Sequence, residues 1–566
     1  MSGPVLPRVV ALGPRRVGEA VERGLDIARA LRVLQREGLL EPLRLDRTLR
    51  NSRETVHLGP LTTAVRVARR RTPDAVALAD DRGEVTYREL DDRAASVAHG
   101  LLALLGRIER EPEATPVVGI LCRDHRGPVI ALAAAGYAGA RAVLLNTGSA
   151  APQLATVLAR EGVEVLVHDA DFADVVAQAC SESGQQLPTV VADAAPAGDV
   201  LTLDGLADAG PTSPPPLPAT SGGLVILTSG TTGVPKGAPR SRMNPLQSAQ
   251  VLDRLPFPHG CTVLMAAPIF HGTGLSQLCL ALAAGCRIVL ARRFDAATAV
   301  ATIRAEQVRV LVLVPTMLHR ILALDPDPAD LASLERIYAA GSALPAALCV
   351  RTRELLGDVL YNMYGSTEVG VAAVATPQEL ALAPGCVGRA PAAARVLLLG
   401  PDRRPVPDGE PGIVFVRSAL AFTAYTDGSG KEVVDGYVST GDVGRIDEYG
   451  LLHIEGREDD MIVSGGENVV PAQVEALLAE HSGVDEVAVV GVPDEEFGQR
   501  LRAVVVLLPG AVVEAEELRA LARERLARHE VPREVWFVAA LPRNPTGKVL
   551  KRVLAAADSV EGIGGF

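Results

Sequence analysis

Four hydroxyl side chains, three glycines and a lysine are gathered in the run Thr228-Ser229-Gly230-Thr231-Thr232-Gly233-Val234-Pro235-Lys236-Gly237. Glycines let a backbone approach phosphate oxygens closely. Hydroxyls and exposed N–H groups donate hydrogen bonds to those oxygens, and a lysine supplies compensating charge. The apolar run Leu224–Thr228 reads as a buried strand that feeds this loop. The spacing is not that of a kinase or GTPase phosphate loop, in which Gly-Lys-Ser/Thr opens a helix. Here Pro235 precedes the lysine and Gly237 follows it. A plain Ser/Thr/Gly surface loop seldom joins so many hydroxyls to Pro-Lys-Gly straight after a strand.

A second group, Tyr361-Asn362-Met363-Tyr364-Gly365-Ser366-Thr367-Glu368, can hold the rest of a nucleotide. The Tyr364 ring can stack on a purine and the Asn362 amide can pair with its edge. Thr367 can donate to a phosphate, and Glu368 is a hard oxygen ligand suited to Mg²⁺. In Ser439-Thr440-Gly441-Asp442, one carboxylate can accept both hydroxyls of a ribose diol. Read alone, that tetrapeptide is an ordinary turn.

These groups need strands and helices to bring them together. Short apolar runs occur at Val117–Leu121, Ala142–Leu145, Val163–Val167, Leu224–Thr228, Val308–Val314 and Leu334–Tyr338. Helical segments such as Tyr87–Leu104 and Ala296–Glu306 lie between many of them. That alternation predicts α/β layers with largely parallel sheets. Ala209–Ser221, with five prolines, reads as a loop. Past Gly456–Asp460 the pattern changes to helix (Pro471–His481), strand (Glu486–Val492), strand (Arg502–Leu508), helix (Glu514–His529) and strand (Glu534–Val538). This predicts a smaller α+β unit. The expected divisions are an extension at 1–60, a large region at 61–458 and a C-terminal domain at 459–566. Val17 to Leu40 has helical spacing. We read it as a helix packed on the body, because Glu19, Glu22, Asp26 and Glu37 dilute a basic face that a membrane-surface helix would need.

The chain has 566 residues, which implies more than one core, and a net charge of −12, which argues against a general nucleic-acid binder. Aromatics are only 3% of residues, so the core should be aliphatic. Seven dispersed cysteines without a CxxC pair predict reduced thiols rather than disulfides or a structural zinc site. Pro4, Pro7 and Pro14 interrupt the first apolar stretch, and no window is long enough to span a membrane. The sequence therefore predicts a soluble, cytoplasmic protein. Peripheral contact with the inner membrane surface and a homo-oligomer are both compatible with it.

Taken in order, the motifs resemble the adenylate-forming superfamily of acyl-CoA synthetases, peptide-synthetase adenylation domains and luciferases, from about residue 62 to residue 552. Within it the chain is most similar to fatty acyl-CoA synthetases. The resemblance implies two similar α/β subdomains plus a small β-barrel subdomain, followed by a small mobile C-terminal domain. It implies that Thr228–Gly233 and Lys236 hold the ATP phosphates, with Thr228 and Glu368 beside Mg²⁺. Gly341-Ser342-Ala343 would pack between adenine and acyl group, with Asn362, Met363, Tyr364, Gly365, Ser366 and Thr367 around the nucleotide. Asp442 and Arg457 would contact ribose and phosphate. Phe270, His271 and Gly272, with Gly341 and Gly365, would line the acyl pocket. Asp459 matches the hinge position, and Gly465 and Gly466 resemble the glycines flanking the pantetheine tunnel. Lys548, in Pro542-Arg543-Asn544-Pro545-Thr546-Gly547-Lys548, resembles the catalytic lysine that bridges carboxylate and α-phosphate.

The implied reaction is two-step: a carboxylic acid and ATP give acyl-AMP and pyrophosphate, and CoA then takes the acyl group and releases AMP. Small residues at Gly272, Gly274 and Gly341 point to a medium or long fatty acid, with an aromatic or branched acid second. Two other readings remain at this stage. One is an acyl-AMP ligase that loads a carrier protein, which would usually carry an insertion not seen between Thr440 and Pro471. The other is a nucleotide-binding regulatory protein without catalysis.

Overall fold

The computed structural model describes residues 27–36, 45–109, 111, 114–194, 200–228, 235–240, 245–422, 424–458, 460, 462–464, 467–494, 498–544 and 547–563. Two large, mainly parallel sheets carry most of it. One has eight strands. Arg336–Ala340, Val310–Leu313, Thr262–Met265 and Arg287–Leu290 form its centre, with antiparallel edges at Gly370–Ala375 and Gly83–Thr86. The other has six, in the order Thr189–Val191, Val165–His168, Val117–Leu121, Arg141–Leu144, Leu224–Thr228 and Lys236–Arg240. Their inner strands are largely apolar because helices cover both faces. All five residues of Val117–Leu121 are buried. Helix Tyr87–Leu105 starts at a capping box. The Thr86 hydroxyl accepts the Glu89 N–H while the Glu89 carboxylate accepts the Thr86 N–H, so two otherwise orphaned donors are satisfied.

A five-stranded antiparallel sheet follows, built on Ala394–Leu399, Gly412–Ser418 and Tyr437–Ile446. The last sheet pairs Val484–Asp494 with Gly498–Leu507 and adds Glu534–Phe537, covered by helices Pro471–Leu478 and Ala515–Arg525. The fold is therefore the α/β type expected, with a large body and a smaller C-terminal unit. Some spans differ. The helix expected over Pro471–His481 ends at Leu478, and that over Glu514–His529 runs Ala515–Arg525, because Leu526 is already extended. The expected Val308–Val314 strand is Val310–Leu313. Strand Lys236–Arg240, not anticipated, folds back antiparallel on Leu224–Thr228.

The N-terminal region is part of the body. Residues 27–36 are helical, and their Ala30, Val33 and Leu34 join the largest core. Arg29 pairs with Asp253 at 2.7 Å. Helices Leu45–Leu58 and Pro60–Arg71 follow, clamped by Arg70 and Arg66 on the buried Glu54 carboxylate. Among the described residues no helix is long and apolar enough to cross a membrane. All seven cysteines are free thiols.

Candidate active site

The ends of strands from both large sheets converge on a cleft that the C-terminal unit closes. Lys236 opens its strand directly opposite Thr228. Its Nζ donates to Ser429 Oγ at 2.8 Å and lies 3.4 Å from Asp427 Oδ2, so the lysine is held at the cleft edge by the loop after Phe422. Ser229, Gly230, Thr231, Thr232 and Gly233, the Thr228 side chain, Asp459, Gly465 and Gly466 lie outside the described residues.

Strand Leu360–Ser366 delivers the second group. The Tyr364 hydroxyl donates to Asp442 Oδ2 at 2.6 Å and touches Thr440 Oγ1 at 3.2 Å, and Arg457 Nη1 reaches Asp442 Oδ1 at 3.3 Å. Asp442 and Arg457 face each other across paired strands. Burial raises the Asp442 pKa against the pull of Arg457 and Tyr364. One N–H of the Asn362 amide is spent on the Cys386 carbonyl at 2.9 Å, so the side chain also ties its strand to the neighbouring loop. Glu368 is 9% exposed and accepts the Tyr425 hydroxyl. Burial alone would raise its pKa, but hydrogen bonds from Ser366 and Tyr425 outweigh that and hold the carboxyl below its usual range. An ionised, buried carboxylate is a hard oxygen donor of the kind Mg²⁺ takes alongside water and phosphate oxygens.

Lys548 enters from the C-terminal unit on a tight loop. Asn544 N–H bonds the Lys548 carbonyl, Asn544 Oδ1 accepts the Lys548 N–H, and Gly547 turns with φ +80°. A Cβ on Gly547 would lie 2.7 Å from Thr316 Oγ1, so only glycine lets the loop press against the large body. The Lys548 side chain has open surface but is walled by protein. That enclosure lowers its pKa, while Asp442 and Glu368 oppose the drop and Arg457 adds to it. His319 Nε2 sits 3.2 Å from Asp485 Oδ1, a further link between body and C-terminal unit.

Phe270 and His271 pack ring to ring at 4.3 Å ahead of helix Gly272–Ala283. Burial and the Lys548 charge push the His271 pKa down to about 4, so the ring is neutral at neutral pH. Its Nε2 is buried without a protein partner. Gly341, at φ +95°, turns the chain beyond strand Arg336–Ala340, and with Gly272, Ser342, Ala343, Met363, Gly365 and Thr367 it lines the same cleft.

Chemically the site can hold a polyphosphate, a ribose and an apolar acid together, with one lysine between them. The two sequence matches cover most of the chain. Residues 65–426 match the model of the AMP-binding enzyme family, and residues 473–548 that of the AMP-binding enzyme C-terminal domain. The chain is an AMP-binding enzyme. Curated relatives of this AMP-binding enzyme include a feruloyl-CoA synthase from Amycolatopsis sp, 34% identical over 85% of this chain and 96% of that one. An indoleacetate–CoA ligase from Aromatoleum aromaticum is 34% identical over 79% and 91%. A long-chain-fatty-acid–CoA ligase from Mycobacterium tuberculosis is 31% identical over 74% and 83%. Among solved structures, the anthranilate CoA ligase AuaEII in complex with anthranoyl-AMP superposes with a TM-score of 0.78 at 26% identity, covering 87% and 96% of the two chains. These likenesses place the AMP-binding enzyme among the AMP-forming acid–CoA ligases, which use ATP and CoA.

Sequence reasoning missed several residues of the site. Tyr425 and Ser429 hold Glu368 and Lys236. Lys431 lies near Glu368 and Asp442. Arg240 donates to the Thr367 carbonyl, and burial lowers its pKa to about 10 while Glu368 opposes the drop. Asp124 accepts the Ile269 N–H at 3.0 Å and so fixes the segment that carries Phe270 and His271. A basic residue three after the phosphate loop was the only legible hint, at Arg240.

Proposed function

We propose that this AMP-forming acid–CoA ligase activates a medium- or long-chain fatty acid, with Lys548, Glu368, Thr228 and Lys236 as its catalytic groups. The observation that carries the substrate reading is the apolar wall beside His271. Ile226, Leu275 and Leu280 line the cleft there, next to the small residues Gly272 and Gly341. The carboxylate attacks the α-phosphorus of ATP in line. An oxygen–phosphorus bond forms, the bond to the bridging oxygen breaks, and pyrophosphate leaves. The Lys548 ammonium offsets the repulsion as the two anions meet, and the enclosing walls strengthen that effect. Asp442 and Arg457 orient the ribose, and Lys236 and the loop after Thr228 steady the phosphates. Mg²⁺ against Glu368 would neutralise phosphate charge.

For the second half, residues 459–566 would turn about Asp459, withdrawing Lys548 and bringing Gly465 and Gly466 to the site. The CoA sulfur then attacks the acyl carbonyl and AMP leaves. The experiment is release of pyrophosphate and AMP from Mg·ATP with a panel of carboxylic acids, with and without CoA. Turnover that requires both CoA and a straight-chain acid supports the reading. The feruloyl, indoleacetate and anthranilate relatives favour an aryl acid as the second reading, and preferential turnover of aryl acids would replace the first. Pyrophosphate release indifferent to CoA would point to a carrier-protein acceptor.

A further inference from the structure

An open cleft of about 3440 Å³ is lined by Lys548, Asp442 and His271 and extends to Leu34 and Thr55 of the N-terminal helices. Along one side it follows a single face of helix Gly272–Ala283. The whole first turn, 272 to 274, faces it, and beyond that turn the lining positions are 275, 276, 279, 280 and 283, which is the repeat of one helical stripe. Helix Pro60–Arg71 contributes its first five residues, 60 to 64, and then Val67 and Arg71 to the same lining. The two helices pack against each other, and Cys279 lines the cleft beside that contact. Enclosure in protein raises its thiol pKa to about 12, yet part of its surface stays uncovered.

We infer that helix Pro60–Arg71 and the N-terminal helices before it form the second wall of the acyl channel, and that Ser276, Cys279 and Ala283 act with Val67 as a ladder that measures acyl length. This rests on the proposed ligase reading and adds the arm to it. The direction is set by His271, at the start of the helix beside Lys548, so the carboxylate lies there and the chain end points towards Ala283. The eleven residue steps from 272 to 283 span about 16 Å. At about 1.2 Å per bond in an extended chain, that is room for roughly a dozen methylenes. The arm is rigid enough to serve. Thr62 Oγ1 donates to the Ala133 carbonyl, and Glu54 holds Arg66 and Arg70.

The test is the ratio of kcat/KM values across straight-chain acids of four to eighteen carbons for wild type, Ser276→Phe, Cys279→Phe, Ala283→Phe and Val67→Phe. Thermal melting confirms that each variant is folded. One helical turn advances 5.4 Å, so successive rungs should move the upper length limit by about four carbons, with the shortest limit at Ser276→Phe. Val67→Phe should lower the ratio of long to short acids at least tenfold, as Cys279→Phe does. If wild type turns over straight-chain acids but Val67→Phe keeps its length profile, the arm is not a wall and the inference fails alone. If wild type turns over no straight-chain acid, the substrate reading fails and the ladder with it.

Discussion

Replacing Asp124 with Asn should stabilise the protein above neutral pH and remove part of its pH dependence. The carboxyl is 7% exposed, and its recorded partner is the Ile269 N–H at 3.0 Å. Burial, with Asp169 nearby, raises its pKa from 3.8 to about 7 against the pull of that N–H. Between these values the folded chain keeps the proton that the unfolded chain has released. Stability therefore falls as pH rises from about 4 to about 7 and is level above that window. Three pKa units correspond to about 4 kcal/mol at most, and relaxation around a buried carboxylate should leave roughly 2–4 kcal/mol. Asn keeps an oxygen for Ile269 and cannot ionise. In urea unfolding at pH 4, 6 and 8, the stability margin of Asp124→Asn over wild type should be smallest at the lowest pH, grow at the middle one and be largest at the highest. Its KM for the acid should stay within about twofold, because the Phe270–His271 segment keeps its anchor. Asp124→Ala removes that anchor and should raise KM for the acid. Equal pH slopes in Asp124→Asn and wild type would refute the reasoning.

Three further changes probe separate parts of the cleft. Lys548→Ala should slow acyl-AMP formation by about 10²–10³-fold while leaving thioester formation from supplied acyl-AMP within a few-fold, as single-turnover assays of each half would show. Equal losses in both halves would contradict the division of roles. Tyr425→Phe removes a hydrogen bond that holds the Glu368 carboxyl down, so the acid limb of the kcat profile should move to higher pH by about 1–2 units. Gln277 is fully buried, with Oε1 unpartnered and Nε2 only 4.0 Å from the Met363 sulfur. Gln277→Met should raise stability by about 1–2 kcal/mol in urea unfolding, and a loss would mean that the amide has a partner the contacts do not reveal.

The parts of this protein legible from sequence are those whose physics is local. A strand buried on both faces is a continuous apolar run, so Val117–Leu121 and Leu224–Thr228 were placed to the residue. Strand Lys236–Arg240 was not, because Lys-Gly-Ala-Pro-Arg has neither alternation nor an apolar run. It survives as an edge strand, where Pro239 need not donate to a further neighbour. Tyr425 and Ser429 stand in no motif that singles them out. Their partners Glu368 and Lys236 stand 57 and 193 positions away, and only the fold brings them together. The division at residue 60 was drawn where the motifs begin. Packing does not respect it, since Leu58 and Leu61 lie in one core with Ala30 and Val33.

Net charge speaks against a general nucleic-acid binder and leaves room for a local basic pocket that holds one nucleotide. The chain carries −12 overall, yet Lys236, Arg240, Lys431, Arg457 and Lys548 are gathered around Glu368, Asp427 and Asp442. Among these named groups cations outnumber carboxylates five to three, and where protein walls them off from solvent Coulomb terms are several times larger than in water. Such a cleft focuses a triphosphate towards itself whatever the sign of the outer surface. The acids serve a purpose as well. Asp427 and Ser429 hold Lys236, and Tyr364 and Arg457 hold Asp442, so these groups are already oriented before a nucleotide arrives. Part of the ordering cost of binding is then met in folding, and the nucleotide exchanges one set of polar partners for another rather than creating them.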